Sequence, residues 1–264
     1  MPPIIEVKNL ECGYQANTVL KNVGFDIREG EFLGIIGPNG SGKSTLLKSI
    51  SRCLKPFQGS VRFKGNDIYA ASAAELAKEF AFVPQDLVFN FSFTAWEIVL
   101  MGRIPYVGRL RVETPADLET VRDSMRTTET LAFAGRFIHT LSAGERQLVL
   151  IAKALAQQPK VLFLDEPTSH LDIGHQVHIL NLIRELNRKQ GITTIIVLHD
   201  LNLASEYCDR IILLNEGRVE KIDKPEEVLT FQNIEEVYKT LVIVNKNPIT
   251  GNPHILLVRK EKRT

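Results

Sequence analysis

The run Gly37-Pro38-Asn39-Gly40-Ser41-Gly42-Lys43-Ser44 constrains this chain more than any other stretch. It follows the apolar Phe32-Leu33-Gly34-Ile35-Ile36 and precedes Thr45-Leu46-Leu47-Lys48-Ser49-Ile50, which reads as the first turns of a helix. Strand, glycine-rich turn and helix in that order are the context of a phosphate-binding loop. The residue types follow from the chemistry. Gly37, Gly40 and Gly42 admit backbone angles that a Cβ forbids, so the chain can wrap a phosphate closely. The wrapped N–H groups form an anion nest, reinforced by the positive end of the following helix. Lys43 has the reach for the β- and γ-phosphates, and the Ser44 hydroxyl is a ligand for a Mg²⁺ that bridges them. A plain glycine-rich β–α turn is the alternative, and eight specified positions between a strand and a helix argue against it. The loop marks a nucleotide site without saying what hydrolysis would drive.

A chain of 264 residues can bury a full core, and its 44% hydrophobic and 24% charged content is ordinary for a soluble globular protein. The net charge of +1 supplies no attraction to nucleic acid, and the only basic block is the short tail Arg259-Lys260-Glu261-Lys262-Arg263. Cys12, Cys53 and Cys208 are odd in number and far apart, which suits a reducing compartment and suggests neither disulfides nor a zinc site. The N-terminus lacks a signal pattern, and no apolar run approaches the ~18 residues that span a bilayer. Any membrane role is therefore expected to come through a partner.

Ile4 to Leu10 and Val19 to Arg28 read as strands, the second alternating Val23, Phe25 and Ile27 with polar or small residues. Val61 and Phe63 repeat that pattern after an expected turn at Gln58-Gly59-Ser60. Ala73 to Phe80 reads as a helix and Ala81-Phe82-Val83 as a short strand. From Asp86 the pattern becomes helical. Thr94 caps one helix, Thr114-Pro115 starts another with Asp117 as a capping-box donor, and Ser142 starts a third that stops before Pro159. Leu118, Val121 and Met125 share one face of the second. Val161-Leu162-Phe163-Leu164 and Thr194-Ile195-Ile196-Val197-Leu198 then read as strands buried on both faces, with Ile211 to Leu214 as a third. The helix Gly174 to Lys189 joins the first two as a parallel crossover requires. A helix after Asn233 and a hairpin over Leu241 to Val258, turning at 247–251, complete the chain.

Asp165 and Glu166 end a buried strand, where an α/β sheet places its ligands. Asp165 is expected to hold Mg²⁺ through water and Glu166 to polarise the attacking water. His199 follows the next central strand, within reach of a γ-phosphate. Leu141-Ser142-Ala143-Gly144-Glu145 opens a helix and makes a second anion site, although a plain N-cap accounts for Ser142 equally well. Two anion sites imply two ligands or one ligand gripped from two sides. His175 and His178 have the helical spacing of metal ligands, and a surface helix is the favoured reading.

These motifs together resemble the ATP-binding subunit of an ABC transporter over nearly the whole chain. Gly37 to Ser44 matches the Walker A loop, Val161 to Glu166 the Walker B strand, Leu141 to Glu145 the signature and Gln85 the Q-loop glutamine. Ser169-His170-Leu171-Asp172 resembles the D-loop and His199 the switch histidine, and Tyr14 falls where the family stacks a ring on adenine. The signature departs from the usual pattern with Ala143 for glycine and Glu145 for glutamine, which bears on the strength of ATP-driven closure. Glu97 to Tyr106 and His170 to Gln176 are similar to subunits that energise uptake of iron–siderophore, haem or cobalamin chelates.

The resemblance implies an α/β P-loop cassette with a mixed-sheet core, an antiparallel β subdomain and an inserted helical subdomain. It places the core at 1–85 and 159–240, the helical insert at 86–158 and a hairpin and tail at 241–264. It implies ATP and Mg²⁺ as cofactors. Ser44, Gln85 and Asp165 would serve the metal, and Glu166, His199 and Gln85 catalysis. Gly37, Pro38, Asn39, Gly40, Ser41, Gly42, Lys43, Ser44, Thr45 and Tyr14 would bind nucleotide in one chain. Ser142, Ala143, Gly144 and Glu145 would serve the nucleotide of the other chain in a homodimer. The implied partners are membrane permease subunits and, indirectly, an extracytoplasmic substrate-binding protein, with no nucleic acid. The implied location is peripheral, on the cytoplasmic face of the membrane. An ABC importer ATPase for another small solute is the first alternative and a soluble ABC-type ATPase acting on nucleic acid or ribosomes the further one, and a P-loop kinase has no use for the signature helix.

Overall fold

A computed structural model of the chain describes residues 2–15, 17–85, 92–107 and 112–259. The expected start of the insert at Asp86 and the basic tail from Lys260 lie outside these residues. The chain divides into two compact units, one of residues 1–68 and 195–264 and one of residues 69–194. In chain order the first unit opens with β1 (Ile5–Tyr14), β2 (Asn17–Ile27), β3 (Phe32–Ile36), α1 (Lys43–Ile50), β4 (Gln58–Phe63) and β5 (Asn66–Asp67). The second holds α2 (Ala73–Glu79), β6 (Phe80–Val83), α3 (Ala95–Leu100), α4 (Pro115–Thr127), α5 (Ala143–Ala156), β7 (Val161–Asp165) and α6 (Ile173–Gln190). Strand β8 (Thr193–Val197) begins in the second unit and ends in the first. The first unit then closes with α7 (Leu201–Tyr207), β9 (Arg210–Asn215), β10 (Arg218–Asp223), α8 (Pro225–Val228), α9 (Phe231–Tyr238), β11 (Val242–Lys246) and β12 (Pro253–Leu257).

In the first unit β1 pairs antiparallel with β2, Ile5 opposite Ile27 and Val7 opposite Phe25, and with β4, Ile5 opposite Phe63 and Val7 opposite Val61. The alternating apolar residues Ile5, Val7, Val23, Ile27 and Val61 are buried, as a period of two requires when one face is packed. The β1–β4 register shifts between Lys8 and Glu11, where Gly59 takes φ 86°. A Cβ on Gly59 would strike the Asn9 carbonyl. Gln58-Gly59-Ser60 are thus the start of β4, facing a bulge in β1 where Asn9 and Leu10 oppose Gly59, and not the turn expected from their composition.

Strand β3 is buried at all five positions and pairs parallel with β9, Ile35 opposite Ile212; β10 returns antiparallel beside β9. The Leu198 N–H, just past β8, donates to the Ile35 carbonyl (3.1 Å). Helix α9 starts at Phe231, ahead of the expected Asn233, because the Thr230 hydroxyl accepts the Asn233 N–H and caps it. Strands β11 and β12 pair from Val242 opposite Leu257 to Lys246 opposite Pro253, forming the expected hairpin.

In the second unit β6 and β7 pair parallel, Ala81 opposite Leu162, with the Phe80 and Phe163 rings edge to face at 5.1 Å. Ser72, Thr94, Thr114 and Ser142 each accept the N–H of an acidic residue three positions on, which answers with its carboxylate. Asp117 therefore accepts from Thr114 through its side chain, where the sequence reading had it donating. Helices α3 and α4 pack on α5, burying Ile98, Val99, Val121, Met125 and Val149. Arg103 is buried among them. Its Nε donates to Asp117 Oδ1 (2.8 Å), and its Nη1 donates to the Ala156 carbonyl (2.7 Å) and Gln158 Oε1 (3.0 Å).

Candidate functional site

The phosphate-type loop lies between β3 and α1 in the first unit. Gly37, Gly40 and Gly42 take φ 151°, 79° and 104°, turning successive N–H groups into a concave run that ends at the start of α1. At Gly37 any Cβ would meet the Leu214 carbonyl, so only glycine fits. The Lys43 ammonium is buried and donates to the Gly37 (2.9 Å) and Pro38 (3.0 Å) carbonyls. Ser41 Oγ is buried without a hydrogen-bond partner. A nest of N–H groups, a lysine folded along it and an unsatisfied hydroxyl form a donor set that fits a phosphate. Asn39 and Gly40 are exposed, Ser44 is half-buried and Thr45 is buried. Tyr14 ends β1 and is exposed (46%). His199 is exposed immediately after Leu198, and Asp200 caps α7, accepting the N–H groups of Asn202 (2.8 Å) and Leu203 (3.1 Å).

Two supports of this loop escaped the sequence reading. The Gly217 N–H, in the β9–β10 turn, donates to the Ser41 carbonyl (3.0 Å), and the Gly217 carbonyl accepts the Lys21 N–H of β2 (2.9 Å). Tyr238 on α9 hydrogen-bonds the Gly37 backbone; burial pushes its phenol well above the usual range, and this contact opposes the push. Glu216-Gly217 is legible as a turn in sequence, but neither contact has a local signal.

The carboxylates and the signature lie in the second unit. Asp165 is buried at the end of β7. Glu166 adopts a left-handed φ of 50°, and its Oε2 accepts from Gln85 Nε2 (2.7 Å) and the Ser169 hydroxyl (3.0 Å). A strained backbone of this kind costs about 1–3 kcal/mol and persists where the surroundings over-determine it. The turn closes on Glu166 itself, the Ser169 N–H donating to the Glu166 carbonyl (3.1 Å), and Gln176 Nε2 ties the following loop by donating to the Thr168 (3.3 Å) and Leu171 (3.1 Å) carbonyls. Gln85, Glu166 and Ser169 are thereby brought together.

Ser142 caps α5 and is exposed with Ala143. The Glu145 carboxylate accepts the Ser142 N–H (2.8 Å), which holds its pKa below the usual range, and Arg136 lies 3.4 Å away. Its charge is used within its own helix cap. Gly144 is buried under the His175 ring, which leaves no room for a Cβ. His175 Nδ1 lies 2.7 Å from Asp172 Oδ2, and Asp172 accepts the His175 N–H to cap α6, contacts that keep its own pKa low. His175 is exposed on a surface helix as expected, and it also covers the signature glycine. Among the described residues no group of three or more His, Cys, Asp or Glu side chains is placed to hold a metal, so His175 and His178 are not part of such a cluster.

A β-strand, a glycine nest around a buried lysine and a strained carboxylate after a second buried strand define a nucleotide-binding cassette of the P-loop class. Residues 20–169 match the model of the ABC transporter family, and the chain belongs to that family. It is 39% identical over 247 residues to the cobalamin import ATP-binding protein BtuD of Halobacterium salinarum, covering 94% of this chain and 62% of that one. It is 38% identical over 258 residues to the achromobactin transport ATP-binding protein CbrD of Dickeya dadantii, covering 98% and 96%. In structure it is similar to a transporter described as of metal-chelate ABC type in an inward-facing conformation, with a TM-score of 0.86, 28% identity and 98% and 99% of the two chains covered. It is also similar to a dimeric ATP-binding cassette in a post-hydrolysis state with ADP and Pi, with a TM-score of 0.72, 33% identity and coverage of 83% and 98%.

Proposed function

We propose that this chain is the ATP-hydrolysing subunit of an importer for a metal chelate of the siderophore, haem or cobalamin type. The observation that carries the reading is the glycine nest around Lys43 with its unsatisfied Ser41 hydroxyl. In this reading Lys43 and the loop N–H groups hold the phosphates, and Tyr14 carries adenine. Glu166 accepts a proton from the attacking water, Gln85 orients that carboxylate and His199 steadies the γ-phosphate. Ser44, Asp165 and the Gln85 carbonyl oxygen would hold Mg²⁺, a hard cation suited to such oxygen donors. When bound, the ion neutralises charge developing on the phosphates. The cassette works as a homodimer in which Ser142 and Gly144 serve the partner's nucleotide.

The dimer sits on the cytoplasmic face of the membrane beneath separate permease subunits. No described helix is long and apolar enough to cross a membrane. A cleft of about 370 Å³ in the second unit, lined by Phe93, Leu100, Met101, Ile104 and Val107 with Glu97 and Glu113 beside them, suits an apolar permease segment. The cargo class rests on relatives such as the ferric enterobactin transport ATP-binding protein FepC of Escherichia coli, 37% identical over 249 residues.

The test is Glu166→Gln. The purified variant should bind ATP as the wild type does and turn it over at well under a hundredth of its rate. Cells carrying it should lose uptake of at least one of labelled ferric siderophore, haemin and cyanocobalamin. Near-normal turnover refutes the role of Glu166, and undiminished uptake of all three refutes the cargo class.

A further inference from the structure

Three side chains of α7 grip the C-terminal hairpin. The Asn202 amide imitates a paired strand: its Oδ1 accepts the Ile255 N–H (2.7 Å) and its Nδ2 donates to the Ile255 carbonyl (3.2 Å). Ser205 is buried and donates to the Pro253 carbonyl (2.7 Å). The Glu206 carboxylate accepts from Asn247 Nδ2 (2.8 Å), the Thr250 hydroxyl (2.9 Å) and Asn252 Nδ2 (3.2 Å), gathering the hairpin turn. A seven-residue helix is not stable alone, and an isolated two-stranded hairpin is marginal in water. Each therefore lends the other its order.

What α7 carries at its other end gives the grip its meaning. Asp200 caps the helix, and His199 is the residue before that cap. Upstream, Leu198 is tied to Ile35 of β3, two residues short of Gly37. His199 is thus held from behind by a core strand and from ahead by α7, which packs on β3 and α8 and is tied by side-chain hydrogen bonds to the hairpin.

We propose that the hairpin β11–β12 is a positioning element for His199, with Asn202 and Glu206 as positioning residues that fix the angle at which α7 leaves the sheet. The proposal rests on the reading of His199 as a group that acts on ATP. A brace of this kind affects the step that His199 serves and leaves nucleotide capture by Lys43 and the loop alone. Misplacing a reacting group by about an ångström costs up to about a hundredfold in rate.

The experiment compares wild type, Asn202→Ala and Glu206→Ala in steady-state ATP hydrolysis, in binding of a fluorescent ATP analogue and in thermal melting. The expected result, well below every melting temperature, is a kcat lower by roughly tenfold or more with KM and nucleotide Kd within about twofold. Because Asn202 is held to act through His199, the double variant His199→Ala/Asn202→Ala should be no slower than His199→Ala alone. Should the alanine variants not fold, Thr250→Val removes one Glu206 contact at the exposed turn and should lower kcat by about twofold in the same pattern. Unchanged kcat in the variants, or losses that multiply in the double variant, overturns the brace. Wild-type protein that neither binds nor hydrolyses ATP overturns the functional reading and the brace with it.

Discussion

Arg103→Met should destabilise the helical part of the second unit by about 3 kcal/mol, and the structure says why the loss is not larger. Breaking a buried ion pair costs about 3–5 kcal/mol when the remaining charge is left uncompensated. Here Asp117 keeps the Thr114 hydroxyl at 2.6 Å and the Thr114 N–H at 2.9 Å after the guanidinium is gone. These Thr114 contacts come ahead of Arg103 among the causes that lower the Asp117 pKa to about 2. The carboxylate therefore remains ionised and partnered, which selects the low end of the range. What is lost is the bond to Asp117, the tie to the Ala156 carbonyl at the end of α5 and the stacking of the guanidinium 3.9 Å from the Tyr106 ring centroid.

Trp96, on α3 of the same unit and the single tryptophan, reports the loss directly through urea unfolding followed by fluorescence. The acid limb gives a second check. A folded pKa below the unfolded one means that the unfolded chain binds more protons. Stability is then fully present above about pH 4 and falls as pH drops from about 4 to about 2. Most of that slope should survive in Arg103→Met, and Thr114→Val, which removes the hydroxyl but keeps the residue-114 N–H and Arg103, should reduce it more. A wild-type urea midpoint in Arg103→Met, or an acid limb that vanishes with Arg103 and survives without the Thr114 hydroxyl, would refute the reasoning.

Tyr14→Ala should weaken ATP binding by about 1–3 kcal/mol in equilibrium titration while Tyr14→Phe holds it, as base stacking predicts; equal affinities place Tyr14 outside the site. Gly144→Ala should cost about 1–3 kcal/mol in thermal or urea stability because its methyl meets the His175 ring, and His175→Ala in the same chain should recover much of that; a Gly144→Ala chain as stable as wild type would mean the ring swings away at little cost. Lys43→Ala and Ser142→Arg homodimers should each be nearly inactive, and mixing them should restore ATPase activity, since both lesions then fall on one of two shared sites. A fully active Ser142→Arg homodimer would end that model.

The buried strands β3, β7 and β8 were legible because they read as unbroken apolar runs, and every cap from Thr94 to Ser142 is a local signal. Gln58 to Ser60 misled because glycine serves a bulge as readily as a turn, and only the partner strand's Asn9 decides between them. Strand β10 and helix α7 passed unnoticed. The first is half-exposed with charges along it, and the second is too short to show a period. At the site, Lys43 and the glycines announce themselves by spacing. Glu145 stands three residues after Ser142, the spacing of a capping box and so a local signal; that His175 covers Gly144 and that Tyr238 meets Gly37 are facts of packing, which no window of sequence contains.

The Gly217 bridge between Ser41 and Lys21 has a consequence in time as well as in space. The glycine loop is made early in synthesis, yet one of its backbone anchors arrives only after β9 has been translated. Long-range closure of this kind is slow, because a large loop of chain must be ordered before its contact repays the entropy. A ribosome-bound chain that has emerged only as far as β7 carries the lysine and the glycines without that anchor. The last of the loop's backbone-to-backbone anchors is thereby set only when most of the polypeptide exists.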